Sequence, residues 1–548
     1  MFPYSQGMPS PEEVTYGIDL AGLDPAGLNR ALAESALQVA RQPATLAREL
    51  AELASAHASV ARDVVVHLLG ADVDGTPADR RFSDRAWSDN PFLRGIQESY
   101  LASAAWAERV LESAEVSEPT RGKAKFALRV LLDAAAPTNI PWLNPSVLKE
   151  AVDTGGLSVL RGMRNFAQDA LENRGLPRAV DSAPFELGRD LATTPGRVVF
   201  RNHVFELIAY EPQTQEVYAH PILYSPSWIN KYYVLDLAPG RSFVEYAVSQ
   251  GHTVFAMSYR NPDESMAEHT FDNHLRDGLL TAIDQVSTII GAAQVDLVGV
   301  CIGGTMTMIA LAVLAARGEQ GRVGSATLLN TLVDYGDPGE IGAFTDERTI
   351  ERIEKRMQKR GYLDAPDLAG PFTWMRANDL VWRYVVSNWY QGKQPPAFDI
   401  LAWNADSTRL PAAMHAQFLR TCYLENKLPR PGAFTIDGTP VDLTKVTTPL
   451  YVLASETDHI APWRGAQRTT ELVAGPSRFV LASSGHIAGM VSPLGDPKSC
   501  YRLGVDGEIQ RGSWWEDWAE WASDRSGERV APPELPPGEP APGTYVRG

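Results

Sequence analysis

Three residues in the second half of this 548-residue chain have the types and the order needed to carry an acyl group: Cys301, Asp458 and His486. Cysteine attacks carbonyls as its thiolate. A free thiol with a pKa near ~8.5 is mostly protonated at neutral pH, so it needs a base. Histidine supplies one, and an acid fixes the imidazole's tautomer and stabilises the imidazolium that forms. Such a set moves an acyl group through a covalent intermediate.

The cysteine lies in VDLVGVCIGGT, residues 295–305. Apolar, β-branched residues read as a strand, Gly299-Val300-Cys301-Ile302-Gly303 as a tight turn, and the following TMTMIALAVLAARGE as a helix. This is the layout of the G-x-S-x-G nucleophile elbow with cysteine in place of serine. Gly299 and Gly303 stand where a larger side chain would crowd the strand and the helix. Taken alone, the motif fits a buried cysteine beside an ordinary strand–helix turn equally well.

The order of the downstream residues favours the nucleophile. Of ten histidines, only His415, His459 and His486 follow the elbow. In α/β hydrolases the acid follows a late strand and the histidine follows the last one. YVLASETD places Asp458 just past one strand end, and FVLASSGH places His486 just past the next. The rivals are His459 on the acid's own loop, His415 in a helical insertion, and Glu456 two residues nearer the strand. The first oxyanion donor expected is the backbone N–H of Ile302. A second is placed in the loop after PILYSP, at Ser227 or Trp228.

The elements that must position these residues follow from periodicity. Helical patterns run from about 26 to 69 with a break near Pro43, resume after Asp89-Asn90-Pro91, and persist to Asn173. A helical N-terminal domain is therefore expected over 1–185. Strands then alternate with helices over 186–548, and SATLLNTLVDY after the elbow helix reads as another strand. That alternation argues for a mainly parallel sheet with its site at the strands' carboxyl ends. A largely helical insertion at about 336–430 is expected to form a lid. Its aromatics Trp374, Trp382, Tyr384, Trp389 and Tyr390 suit either a tunnel wall or the insertion's own core. WWEDWAEWASD puts Trp514, Trp518 and Trp521 on one helix face, for docking against the body. The proline-rich tail, about 524–548, is expected to be extended or disordered.

Composition narrows the class. An apolar fraction of 44% suits a globular protein with a sizeable core. Three cysteines without paired spacing suit a reducing cytoplasm. MFPYSQGMPSPEEV shows neither the basic start nor the apolar core of a signal peptide, and no apolar run approaches the ~20 residues of a membrane span. A net charge of −17 argues against nucleic-acid binding and requires local Arg or Lys wherever an anionic substrate enters.

Together SPSWINKYYVLDL, VEYAVSQGHTVFAMSYRNP, GVCIGGT, NDLVWRYVVSNW, FDILAWNADSTRLP, ETDHIAPW and SSGHI resemble the polyhydroxyalkanoate synthases, single-subunit enzymes that polymerise (R)-3-hydroxyacyl-CoA into storage polyester. The resemblance runs from about Asp79 to Arg502. It implies an α/β-hydrolase fold with Cys301 as acyl-carrying nucleophile, His486 as base and Asp458 as third member. It also implies a homodimer at the surface of cytoplasmic polyester granules, with the insertion moving to admit substrate. No metal or separate cofactor is expected, since CoA is part of the substrate and a product. Two alternatives stand beside this reading: a cysteine-type hydrolase or thioesterase releasing free acid, and a non-catalytic granule scaffold.

Overall fold

Proline marks where most of the N-terminal helices begin. Pro25, Pro43, Pro91 and Pro145 stand in the first turn of helices Pro25–Ala40, Pro43–Leu68, Pro91–Glu112 and Pro145–Asp153. A missing N–H is no loss there, and proline's fixed φ already suits the helix. Side chains of Asn90 and Asn144 accept the orphan N–H groups at two of these starts, and Ser117 does the same for the helix Glu118–Ala134, as N-caps do. The expected break near Pro43 and the restart after Asn90 are both present. The computed structural model describes residues 24–70 and 79–548. The stretch MFPYSQGMPSPEEV, considered above for a signal peptide, lies outside the described residues.

The chain divides into two compact units, Met1–Asp181 with Phe372–Pro396, and Ser182–Pro371 with Ala397–Gly548. In the first unit the helix Leu157–Glu172 reverses the usual amphipathic arrangement. It buries Ser158, Gly162, Asn165 and Asp169, while Leu157, Leu160 and Met163 are exposed and Leu171 is 88% exposed. The buried polar face is satisfied, as burial demands. Asn165 Nδ2 donates to the carbonyls of Asn388 and Lys393 at 3.0 Å each. Asp169 accepts from Arg178 Nε and Trp389 Nε1, both at 2.8 Å. A Cβ at Gly162 would stand 1.9 Å from the carbonyl oxygen of Trp389, so only glycine allows this approach. Trp389 also meets Phe166 edge-on at 5.0 Å between ring centroids, and Trp374 and Tyr384 are buried in the same unit. These three aromatics of the insertion pack within a helical unit.

The second unit is built on an eleven-stranded sheet. In chain order its strands are β1 (Gly196–Arg201), β2 (Phe205–Tyr210), β3 (Ile222–Ser225), β4 (Val254–Tyr259), β5 (Val295–Val300), β6 (Val323–Leu329), β7 (Leu450–Ser455), β8 (Ser477–Ala482), β9 (Cys500–Leu503), β10 (Gln510–Arg511) and β11 (Glu539–Pro540). They lie in the order β10-β9-β8-β7-β6-β5-β3-β4-β2-β1-β11. The inner six, from β8 to β4, are parallel, and antiparallel strands flank them on both edges. Every residue of β5 and β7 is buried, as expected of central strands covered on both faces. The helix Ile302–Ala316 is buried from Ile302 through Leu314, which explains its unbroken apolar sequence: it has no face toward water.

Two sequence expectations are refined here. The strand read over SATLLNTLVDY stops at Leu329, because Asn330 turns into the left-handed region at φ 46°. Asparagine tolerates that conformation better than most residues. The tail is extended and tied down. β11 pairs antiparallel with β1, and Glu206 accepts from the backbone N–H groups of Thr544 and Tyr545 at 3.0 Å. Trp514, Trp518 and Trp521 are buried as one face of the helix Trp514–Ser523. That helix also holds a piece of the site described next: Trp514 Nε1 donates to the Gly489 carbonyl at 2.7 Å, and Trp515 Nε1 to that of Met490 at 3.1 Å.

Candidate active site

The elbow is a strained turn held by its neighbours. Cys301 follows β5 with φ 51° and ψ −122°, in a region that non-glycine residues rarely adopt, at a cost of about 1–3 kcal/mol. Its N–H donates to the Leu329 carbonyl on β6 at 2.8 Å. Its own carbonyl accepts the N–H groups of Gly304 and Thr305 at 3.0 and 3.2 Å. The glycines are steric requirements. A Cβ at Gly299 would lie 2.6 Å from the Gly304 Cα, and one at Gly303 would lie 2.3 Å from the Pro226 carbonyl oxygen. A Cβ at Gly304, which the sequence reading passed over, would lie 1.9 Å from Thr331 Oγ1.

Gly303→Ala should therefore push the elbow off the backbone of residues 225–226. The expected cost is about 3 kcal/mol in stability and roughly 100-fold in turnover, the penalty of an ångström-scale misplacement. Thermal unfolding and CoA release on the same preparation check both.

The structure brings the three residues together. His486 opens the short helix His486–Met490 just past β8, and its Nδ1 meets Asp458 Oδ2 at 2.6 Å. The Cys301 sulfur lies near enough to act on the same imidazole electrostatically. Asp458 lies in the loop after β7, where its Oδ1 accepts the N–H groups of Ile460 and Ala461 at 2.8 and 2.9 Å. That grip leaves Oδ2 for the imidazole. Both His486 and Asp458 are buried, while Cys301 is half-buried. Burial alone would push the imidazole's pKa down. The Asp458 carboxylate and the Cys301 sulfur override it and hold the pKa well above its ordinary value of 6.5.

Two of the rivals stand elsewhere. Glu456 is 42% exposed in its side chain and faces Arg502 at 3.6 Å. His415 is buried against Phe418, and burial pushes its pKa down to about 4, so it stays neutral. Cys422 is wholly buried in the main core, where burial pushes its thiol far up, and Cys500 Sγ lies 2.9 Å from Ser483 Oγ.

Ile302 begins its helix, so its N–H has no acceptor within that helix and sits at the positive end of the helix dipole. The loop after β3 lies against the elbow, as the approach of Ser225 and Pro226 to Gly303 shows. Trp228 on that loop turns its indole into the core, edge-on to His274 at 5.1 Å and Phe418 at 5.4 Å. The Trp228 carbonyl accepts from Thr408 Oγ1 at 3.1 Å. Anchored this way, the Trp228 ring is committed to the core. An aromatic wall completes the surroundings. Tyr335 and Tyr423 meet at 4.7 Å, and burial above all raises both their pKa values, so these hydroxyls stay protonated.

Comparison with known proteins places most of the chain within known families. Residues 78–247 match the family described as the poly-beta-hydroxybutyrate polymerase N-terminus, and residues 227–493 match the alpha/beta hydrolase fold. The chain is 42% identical over 496 residues to the poly(3-hydroxyalkanoate) polymerase of Methylorubrum extorquens, covering 87% of this chain and 82% of that one. It is 43% identical to poly(3-hydroxyalkanoate) polymerase 2 of Ectopseudomonas oleovorans, covering 86% of each. It is 40% identical to the poly(3-hydroxyalkanoate) polymerase subunit of Cupriavidus necator, covering 87% and 84%.

Proposed function

The chain belongs to the poly(3-hydroxyalkanoate) polymerase family, and on that premise we propose that Cys301 carries the acyl chain while His486 and Asp458 manage its protons. The enzyme is an acyltransferase that joins (R)-3-hydroxyacyl units from CoA thioesters into polyester and releases CoA. The observation that carries the site assignment is the His486–Asp458 hydrogen bond acting on an imidazole that also feels the Cys301 sulfur, with Cys301 at a strained elbow.

In the first half-reaction His486 takes the thiol proton, and the Cys301 thiolate attacks the thioester carbonyl of the substrate. The Ile302 N–H receives the oxyanion, with a second backbone donor from the loop at Ser227–Trp228. Collapse breaks the bond to the CoA sulfur, which leaves with the proton from His486. One thioester replaces another, so the acyl group stays activated. In the second half-reaction His486 takes the proton of a 3-hydroxyl, whose oxygen attacks an acyl thioester. An ester bond forms and a thiolate leaves. Serine at position 301 would instead trap the chain as an oxygen ester, a deeper well. Water competes with the 3-hydroxyl, and the wall of Tyr335, Tyr423 and Phe418 reduces its access.

Digestion and mass spectrometry after brief exposure to 3-hydroxybutyryl-CoA should find the 3-hydroxyacyl mass on the peptide containing Cys301. A label on any other peptide alone would overturn the assignment.

The raised pKa of His486 sets a pH dependence. A group whose folded-state pKa exceeds its unfolded value contributes stability that is full below pH 6.5 and is lost as pH rises through the raised value. For catalysis the neutral imidazole must take the 3-hydroxyl proton, so the rate climbs as His486 loses its proton. Asp458→Asn removes the charge that raises this pKa. The acid limb of the rate profile should move to lower pH while turnover falls on the order of 10³–10⁴-fold. CoA release measured across pH checks both.

We place the enzyme at the surface of its own polyester. No helix among the described residues is long and apolar enough to cross a membrane. The outward apolar face of Leu157–Glu172, with Val152 79% exposed beside it, supports contact with a water-insoluble product. A Leu160→Glu, Met163→Glu variant should lower the fraction of enzyme that sediments with polymer severalfold, leaving release of the first CoA equivalent intact.

A further inference from the structure

The dipeptide Asn330-Thr331, just past β6, touches the backbone of both the nucleophile and the base. Asn330 is fully buried and Thr331 likewise. Thr331 Oγ1 donates to the Cys301 carbonyl at 3.1 Å. Asn330 Nδ2 donates to the His486 carbonyl at 2.5 Å, and Asn330 Oδ1 accepts from Ser455 Oγ at 3.0 Å. Ser455 ends β7, three residues before Asp458. The Asn330 N–H donates to the Leu453 carbonyl at 2.9 Å, which fixes the dipeptide itself. The three segments bearing Cys301, Asp458 and His486 therefore meet at two adjacent side chains.

Two further features indicate that the meeting is built for closeness. Asn330 adopts φ 46°, in the left-handed region, and from there its side chain reaches both His486 and Ser455. Gly304 and Gly489 lack side chains at the points of contact. A Cβ at Gly304 would fall 1.9 Å from Thr331 Oγ1, and one at Gly489 would fall 2.0 Å from Ser455 Oγ. Buried hydrogen bonds of this kind gain in strength and in directional control from the low surrounding dielectric.

The geometry points to Asn330 as a positioning residue for the acyl transfer: it sets the height of His486 between Cys301 and Asp458 by holding the histidine's carbonyl, and Ser455 orients its amide. Asn330 touches neither substrate nor reacting atoms. It acts through the backbone of His486. This inference rests on the roles proposed above for Cys301 and His486.

Asn330→Gly and Asn330→Asp separate the contributions. Glycine keeps the left-handed turn and removes the side chain, while aspartate keeps shape and turn but presents oxygen to the His486 carbonyl. Both should lower kcat at least tenfold with KM for 3-hydroxybutyryl-CoA changed less than twofold. Both should also displace the acid limb of the pH profile, because the imidazole moves relative to Asp458. Ser455→Ala should give a smaller fall in kcat, and its combination with Asn330→Gly should add little, since the two share one bond. Wild-type kcat and pH profile in Asn330→Gly would overturn the inference. So would a loss of activity that tracks the folded fraction seen by circular dichroism with the pH limb unmoved. Cys301→Ala assayed alongside distinguishes the two failures: if it stays active, the catalytic assignment itself has failed.

Discussion

Cys301→Ala is expected to release no CoA and to make no polymer, with turnover reduced by at least about 10⁴-fold. The protein should remain folded. Alanine inherits the same φ of 51°, so the turn carries no new strain, and only a half-buried sulfur is lost. Cys301→Ser is the more discriminating variant. Its hydroxyl fits the elbow, yet the oxygen ester it forms lies in a deeper well than a thioester. It should release at most one equivalent of CoA per site and then stall. Quantifying free thiol against enzyme concentration checks this, with thermal unfolding confirming that both variants fold.

His486→Gln is expected to lower CoA release on the order of 10³–10⁴-fold. Glutamine preserves volume and can still donate to Asp458 Oδ2, so the buried carboxylate is not stranded. A smaller replacement would leave that charge with only the N–H groups of Ile460 and Ala461 and add several kcal/mol of destabilisation. The variant should also lose the pH limb assigned to the imidazole and slow the alkylation of Cys301 by iodoacetamide, because nothing remains to draw off the thiol proton. Undiminished alkylation would place the base elsewhere, with His459 the next candidate on the acid's loop.

Much of the site is legible in the chain because each member follows a strong strand signal. GVCIGG, YVLASETD and FVLASSGH carry β-branched runs ending at glycine or polar residues, and the order Cys301, Asp458, His486 maps directly onto parallel strands β5, β7 and β8. Asn330, Thr331 and Ser455 carry no comparable signal. They lie inside or beside apolar runs that read as strand, and their contacts with Cys301 and His486 depend on which strands are neighbours. Gly304 was equally silent, since its constraint comes from Thr331, 27 residues away in the chain. Helical periodicity in residues 372–396 announces helices without saying what they pack against, and the polar contacts to Asn165 and Asp169 that hold them have no sequence period at all. Trp228 shows a third kind of gap: loop position after β3 was readable, but the burial of its indole against Phe418 was not.

The central claim is that an acyl group held at Cys301 passes to a hydroxyl rather than to water. Incubation of the purified protein with 3-hydroxybutyryl-CoA tests it most directly, with CoA counted as free thiol and the acyl groups recovered as either insoluble polyester or soluble acid. The account predicts that the acyl groups matching the released CoA are recovered in polymer. CoA release matched by free 3-hydroxybutyrate, with no polymer formed, would contradict it and identify the chain as a hydrolase.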